Sequence, residues 1–361
     1  MTKSYIWSLS ARLSHIVMIV TFALCYFCGG KIHFISGAIF GVAVIFRIIW
    51  GFIGTKHSRF WEFNFKGILD YFASFFHQKL RFVGHNPASS IAIILMLIFG
   101  LVIFYSGLLL LGSGGTGFFA FYYERFSEIQ WAKNLHEIAV NAMLFVVIAH
   151  TLGALIDKFW HKNDSIDSMI TGYKLTPNDE NIIPSKAQNI FNALWIGAIL
   201  ATGLYMLTPK NYVLAQNIKP IDYKAQNANF VKECASCHTL YAPFLLPKKS
   251  WEIMMSDLEN HFGDDASINK ALNDEITAFL VANALESKDT KITAKLKAAQ
   301  KEGDIAITAN EYWKKKHRKI KDEIFAKPEI KSKANCAACH EKIEEGIIHK
   351  SLIKRDLLKK A

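Results

Sequence analysis

Two short runs carry the strongest chemistry in the chain: Cys234-Ala235-Ser236-Cys237-His238 and Cys336-Ala337-Ala338-Cys339-His340. Two thiols three residues apart can add to the two vinyl groups of one haem, and the adjoining histidine then faces the iron. Each run therefore reads as a c-type attachment site. A zinc site would need further ligands near each pair, with no use for a histidine directly after the second cysteine. His238 and His340 are the expected first axial ligands. For the sixth positions, the soluble half offers only His261, His317 and His349 besides. Met254 and Met255 recur with Trp251 and Leu258 at helical spacing and fit an apolar packing face. No methionine follows the second run, and His349, nine residues beyond His340, is too near to swing to the opposite face. The expectation is His261 for the first haem and His317 for the second, with an exchange of partners left open.

A second set of histidines lies in apolar sequence. His15, His33, His136 and His150 fall within or at the margins of segments able to cross a membrane, where an ionisable side chain is costly and marks function. His136 and His150 are 14 residues apart, which puts them on nearly one helix face, separated by about 21 Å along the axis. Two iron centres stacked across one bilayer need that separation. Imidazole is a good axial ligand for haem iron, and helices facing a bundle core are where such cofactors are held.

The elements that must position these residues follow from composition. The chain has 361 residues, 51% of them hydrophobic and 20% charged, with a mean hydropathy of +0.17. That excludes disorder, and the uneven spread excludes an ordinary soluble globule. Five apolar segments reach the length of a spanning helix: about Leu9–Cys28, Phe34–Ile53, Ser89–Leu111, Ile138–Phe159 and Ile190–Leu207. The first lacks a small-residue cleavage site and reads as an uncleaved anchor. Lys56, Arg59, Lys66, Lys79 and Arg81 lie between the second and third segments, and Lys158, Lys162, Lys174 and Lys186 around the fourth-to-fifth connection. The other connections hold only Lys31, and Arg125 with Lys133. This asymmetry predicts a cytoplasmic N-terminus and, after five crossings, a C-terminal half outside, in the periplasm of a bacterium. The net charge of +11 averages a membrane half with a water-soluble half, so no nucleic-acid partner is expected. Orientation then sorts the histidines: His15 with His150 toward the inner side, His33 with His136 toward the outer side.

Other residues carry less signal. His57, His77, His85 and His161 read as solvated or headgroup-contacting, and Cys25 with Cys28 as packing residues. Thr208–Ala228 reads as a tether, the Lys350–Lys360 run as solvated, and no segment reads as a strand. Glu137 is an exposed helix-start carboxylate or a proton acceptor. Arg12 and Arg47 either meet haem propionates or obey the positive-inside rule, and both readings stay open.

The first ~207 residues resemble the bacterial cytochrome b561 and hydrogenase-type b cytochrome family. The resemblance rests on Arg12-Leu13-Ser14-His15, on His33 with Gly37, on Arg47, on Gly54–Phe60 and Gly84–Pro87, and most specifically on Leu135-His136-Glu137 with His150. It implies two b haems in a four-helix core and quinol or quinone as the membrane-side partner. The fifth segment departs from the shorter members. Asn229–Gly346 resembles the dihaem cytochrome c family, through the run following Cys234 and through His261-Phe262-Gly263. That resemblance implies a small helical electron carrier with two low-spin haems and places a histidine at both the His261 and His317 positions. It also implies a soluble periplasmic haem protein as acceptor.

Together these readings predict an all-α chain: a four-helix transmembrane di-haem b bundle, a fifth transmembrane helix, and a small helical periplasmic di-haem cytochrome c domain. The boundaries are 1–187, 188–228 and 229–361. The expected function is electron transfer in the bacterial inner membrane, between the quinol/quinone pool and a soluble periplasmic redox protein, through two haem b and two haem c, with membrane lipid as surroundings. The alternatives are a haem enzyme with an open iron acting on oxygen, superoxide or a nitrogen oxide, and a cytochrome subunit of a hydrogenase or dehydrogenase complex.

Overall fold

The computed structural model describes all residues except 78–81, 210, 302 and 359–361, with the side chains of 74–77 also outside the description. Lys79, Arg81, the His77 side chain and the last lysines of the C-terminal run therefore lie outside the described residues. Five long apolar helices are present: α1 (Leu9–Phe27), α2 (Gly30–Ile53), α4 (Pro87–Gly112), α6 (Trp131–Phe159) and α8 (Lys186–Leu207), with α3 (Ile68–His77), α5 (Phe126–Ile129) and α7 (Ser165–Thr171) between them. Each matches an expected span; α2, α6 and α8 begin several residues earlier than their apolar stretches do. Ser185 explains the early start of α8, through a capping box in which it and Gln188 satisfy each other's backbone N–H.

The chain divides into two units. The first holds residues 1–108 and 131–211. Its core is formed by Phe40, Val44, Leu97 and Met143 from α2, α4 and α6, while Phe46 and Trp50 pack on Trp195 of α8. Gly41 of α2 leaves room for the Phe104 ring of α4, since an added Cβ would lie 2.3 Å from it. Many large apolar side chains of these helices remain uncovered, Phe145 and Leu194 among them, as a lipid-facing surface requires. The all-helical expectation misses one small feature. β1 (Thr2–Tyr5) pairs antiparallel with β2 (Tyr173–Thr176), and the Ser4 and Thr176 hydroxyls meet at 2.6 Å. Four-residue strands are too short for alternation to register in sequence.

The second unit holds residues 109–130 and 212–361. Its helices are α5, α9 (Tyr223–Gln226), α10 (Ala228–Cys234), α11 (Lys248–Ser256), α12 (Lys270–Ala282), α13 (Lys291–Ala298), α14 (Glu311–His317), α15 (Asp322–Phe325) and α16 (Cys336–Cys339). Phe230, Leu246, Trp251, Met255, Ile276, Leu280 and Leu285 form its core. The expected tether is not free. Gly117 N–H donates to the Ala215 carbonyl at 3.1 Å, and Asn217 N–H to the Gly115 carbonyl at 2.9 Å. Farther along the same loop, Asp289 accepts from the Ser127 amide and hydroxyl, and Lys288 pairs with Glu124 at 2.8 Å. Backbone polar groups in this run find partners in the loop instead of water, which periodicity does not reveal.

Candidate functional site

The structure brings the eight candidate histidines together in four facing pairs. His15 of α1 and His150 of α6 have ring centroids 6.5 Å apart, and His33 of α2 and His136 of α6 are 6.4 Å apart. In the second unit the separations are 6.1 Å for His238 with His261 and 6.2 Å for His317 with His340. A metal–imidazole bond is about 2 Å, and adding the distance from nitrogen to ring centre on both sides gives a gap of about 6 Å for one metal ion between two rings. All four pairs leave that space.

Hydrogen bonds fix how several rings are presented. The Nδ1–H of His33 donates to the Cys25 carbonyl at 2.8 Å, that of His238 to the Thr239 carbonyl at 2.7 Å, and that of His317 to the Trp313 carbonyl at 2.9 Å. His136 Nδ1 lies 3.0 Å from the Ser106 hydroxyl. Each bond holds Nδ1 and leaves Nε2 as the nitrogen a metal can take. Cys25 thus contributes its carbonyl to the site, and its thiol donates to the His33 carbonyl at 3.6 Å.

A cavity of about 500 Å3 opens beside His15 and His150, lined mainly by apolar side chains of α1, α4 and α6. Its polar end carries Arg47, His85, Asp157 and Lys174. Arg47 is 8% exposed, one guanidinium nitrogen lacks a partner, and its head lies over the Phe60 and Phe63 rings. His85 Nδ1 is likewise buried without a partner. Unpaired buried donors beside two facing imidazoles fit a cofactor that brings its own carboxylates. Arg12 instead reaches back to the Ile170 carbonyl, and Glu137 pairs with Lys133 on the surface at 3.0 Å.

Two of the four histidines expected to be solvated are buried. His161 is fully enclosed, 3.1 Å from the Asp157 carboxylate, which also accepts from Asn163 and Ser165. His57 is buried near Glu180; burial, reinforced by Lys56, pulls its pKa down. His85 stacks on Phe63 and meets Trp7 edge-on, and burial pushes its pKa down to about 3. Asp157 was the missed residue with a readable signal, because it follows His150 by seven positions and so returns to the same helix face.

In the second unit, the two cysteine runs are linked by side chains. The Thr239 hydroxyl donates to Asn335 Oδ1 at 3.0 Å, and the Tyr241 hydroxyl to the Ala334 carbonyl. Tyr241 also lies against the His238 ring, 5.0 Å between centroids. Burial raises the Cys234 and Cys336 thiols to about 11. Met255 is buried in the core and Met254 packs on it. His349 is occupied elsewhere, its Nε2 3.2 Å from the Thr116 hydroxyl. The C-terminal run is not simply solvated. Glu341 N–H donates to the Leu352 carbonyl at 3.0 Å and Lys354 N–H to the Cys339 carbonyl at 2.9 Å, folding residues 352–354 onto the second cysteine run.

Comparison with known proteins finds two family matches along the chain. Residues 6–172 match the family of prokaryotic cytochrome b561, and residues 230–348 match the family of dihaem cytochrome c. Relatives of the first half include a probable Ni/Fe-hydrogenase B-type cytochrome subunit of Rhodobacter capsulatus, 24% identical over 41% of this chain and 63% of that one. The corresponding protein of Rhizobium leguminosarum bv. viciae is 26% identical over 42% of this chain and 70% of the relative. The chain thus spans less than two thirds of the Rhodobacter capsulatus subunit. Among solved structures, the diheme cytochrome c from Rhodobacter sphaeroides is 33% identical, covering 36% of this chain and 100% of that one, with a TM-score of 0.32. The diheme cytochrome type c from Shewanella baltica OS155 is 32% identical, covering 36% and 91%, with a TM-score of 0.29. By these matches the chain joins a prokaryotic cytochrome b561 domain to a domain of the dihaem cytochrome c family.

Proposed function

We propose that this protein carries two b haems and two c haems and passes electrons between the quinol/quinone pool and a soluble periplasmic redox protein. The observation that carries the reading is the set of four facing imidazole pairs at 6.1–6.5 Å. When bound, each haem supplies one iron that gains or loses a single electron. His15 with His150 and His33 with His136 would hold the b haems. His238 with His261 and His317 with His340 would hold the c haems, and Cys234, Cys237, Cys336 and Cys339 would form their thioether links. Arg47 and His85 would meet carboxylates at the polar end of the cavity. With an imidazole on each side, each pair would leave no coordination position open on a bound iron, which supports a relay over a site open to oxygen, superoxide or a nitrogen oxide.

The membrane core would be residues 1–187, the fifth helix and connection 188–228, and the c-type half 229–361, in the bacterial inner membrane with the last part periplasmic. A covalent connection makes the step from b to c intramolecular and independent of diffusional encounter. A quinol added to the purified protein is expected to reduce both haem classes, seen as both sets of reduced absorption bands. Reduction of the b class alone would contradict the relay. The names of the curated relatives favour a second reading, a cytochrome subunit of a hydrogenase. That reading requires a catalytic subunit to co-purify with this chain.

A further inference from the structure

Building on the electron-transfer reading, we propose that the surface around His317 docks an acidic soluble electron-transfer protein, so that exchange with the soluble partner takes place at the second cysteine run. The two runs lie in opposite charge surroundings. Residues 311–333 contain nine basic side chains and four acidic ones, whereas residues 228–265 contain three basic and six acidic. On α14 and the turn after it, Lys314, Lys315, Lys316, Arg318, Lys319 and Lys321 are all exposed.

The acids nearby do not neutralise this surface. Glu311 is shared by Lys314 and Lys301, and Asp322 is taken by Lys333. Glu323 forms no ion pair, and Lys315, Arg318, Lys319 and Lys321 form none either, among the described residues. The C-terminus of α14 favours the basic residues of its last turn, Lys314 to Lys316, but that effect does not extend to Lys319 and Lys321 beyond it.

They surround a ring with a second, independent property. His317, stacked on Trp313 at 4.3 Å, faces His340 across 6.2 Å. The C-terminal segment brings further charge to the second cysteine run, with Lys354 bonded through its backbone to Cys339 and Arg355 exposed beside it, opposed by Asp356 and Glu341. A positive field centred on a redox site steers an acidic protein and fixes how it meets the iron. An anionic lipid surface carries the same sign of charge, but it has no need to meet a redox centre.

The test uses the full-length holoprotein in proteoliposomes of neutral lipid with quinol as the electron donor, native horse cytochrome c as a basic acceptor and its succinylated form as an acidic one. The acidic acceptor is expected to be reduced faster at low ionic strength, with a rate that falls as salt is added. A Lys315→Glu/Lys316→Glu/Lys319→Glu variant is expected to lose about tenfold of that rate at low salt and almost none at high salt. Asp264→Lys/Asp265→Lys is expected to leave the acidic acceptor's rate within twofold. An unchanged rate in the lysine variant overturns the docking surface while leaving the relay standing. A lysine effect that appears only with anionic lipid assigns the charges to the membrane and also overturns it. If neither acceptor is reduced at any ionic strength, the relay reading fails, and the proposal fails with it.

Discussion

The hydrogen bond at Nδ1 decides which imidazole nitrogen is free to meet a metal. His136 depends on Ser106 for that bond, so Ser106→Ala is expected to weaken retention of one b haem by about tenfold. Haem loss to an apoprotein acceptor would measure it, and retention equal to wild type would contradict the role. His150→Ala removes one side of a facing pair and is expected to leave one b haem and both c haems. Two b haems in that variant would break the pairing of His15 with His150. The loop histidines predict a pH response. His57 and His85 have pKa values held below the ordinary 6.5, chiefly by burial. The unfolded chain therefore binds protons that the fold refuses as pH drops below about 6.5, and stability is lost in that window and regained above it. The unfolding midpoint should fall between pH 7 and 5, with a smaller fall in His85→Gln. Equal falls in both proteins would remove His85 from this account.

At the scale of elements, α6 was the most legible part of the chain. His136, Met143, His150 and Asp157 recur every seven residues, and that period alone predicts one inward stripe. What sequence did not reveal are contacts made by short or irregular segments. β1 and β2 are four residues each, and their register is set by pairing across some 170 positions. His57 and His161 sit in charged sequence, yet the chain folds over them: His161 meets Asp157 four residues earlier, whereas His57 meets Glu180, which lies far along the chain from any local pattern. The link between the two cysteine runs is similar in kind. Asn335 accepts from Thr239 and donates to the Ile330 carbonyl at 3.0 Å. Asn335→Ala is expected to cost about 1–3 kcal/mol of stability, with both c haems still attached because the cysteines are untouched. A haem-stained gel with a thermal melt would check this; an unchanged melting temperature would show the link to be incidental.

At the scale of the whole molecule, five spans and two cysteine runs were readable from hydropathy and spacing. The composition of the second unit was not readable, since residues 109–130 belong to it although they lie between two membrane helices in sequence. Hydrogen bonds from Gly117 and Asn217, and the Lys288–Glu124 pair, account for that grouping. The central claim is a chain with four haems of two kinds, each between a pair of histidines. It is tested most directly by a pyridine haemochrome assay on the purified full-length protein, quantified per chain. The account predicts two b haems and two c haems. A single c haem per chain, or no b-type signal, would contradict it.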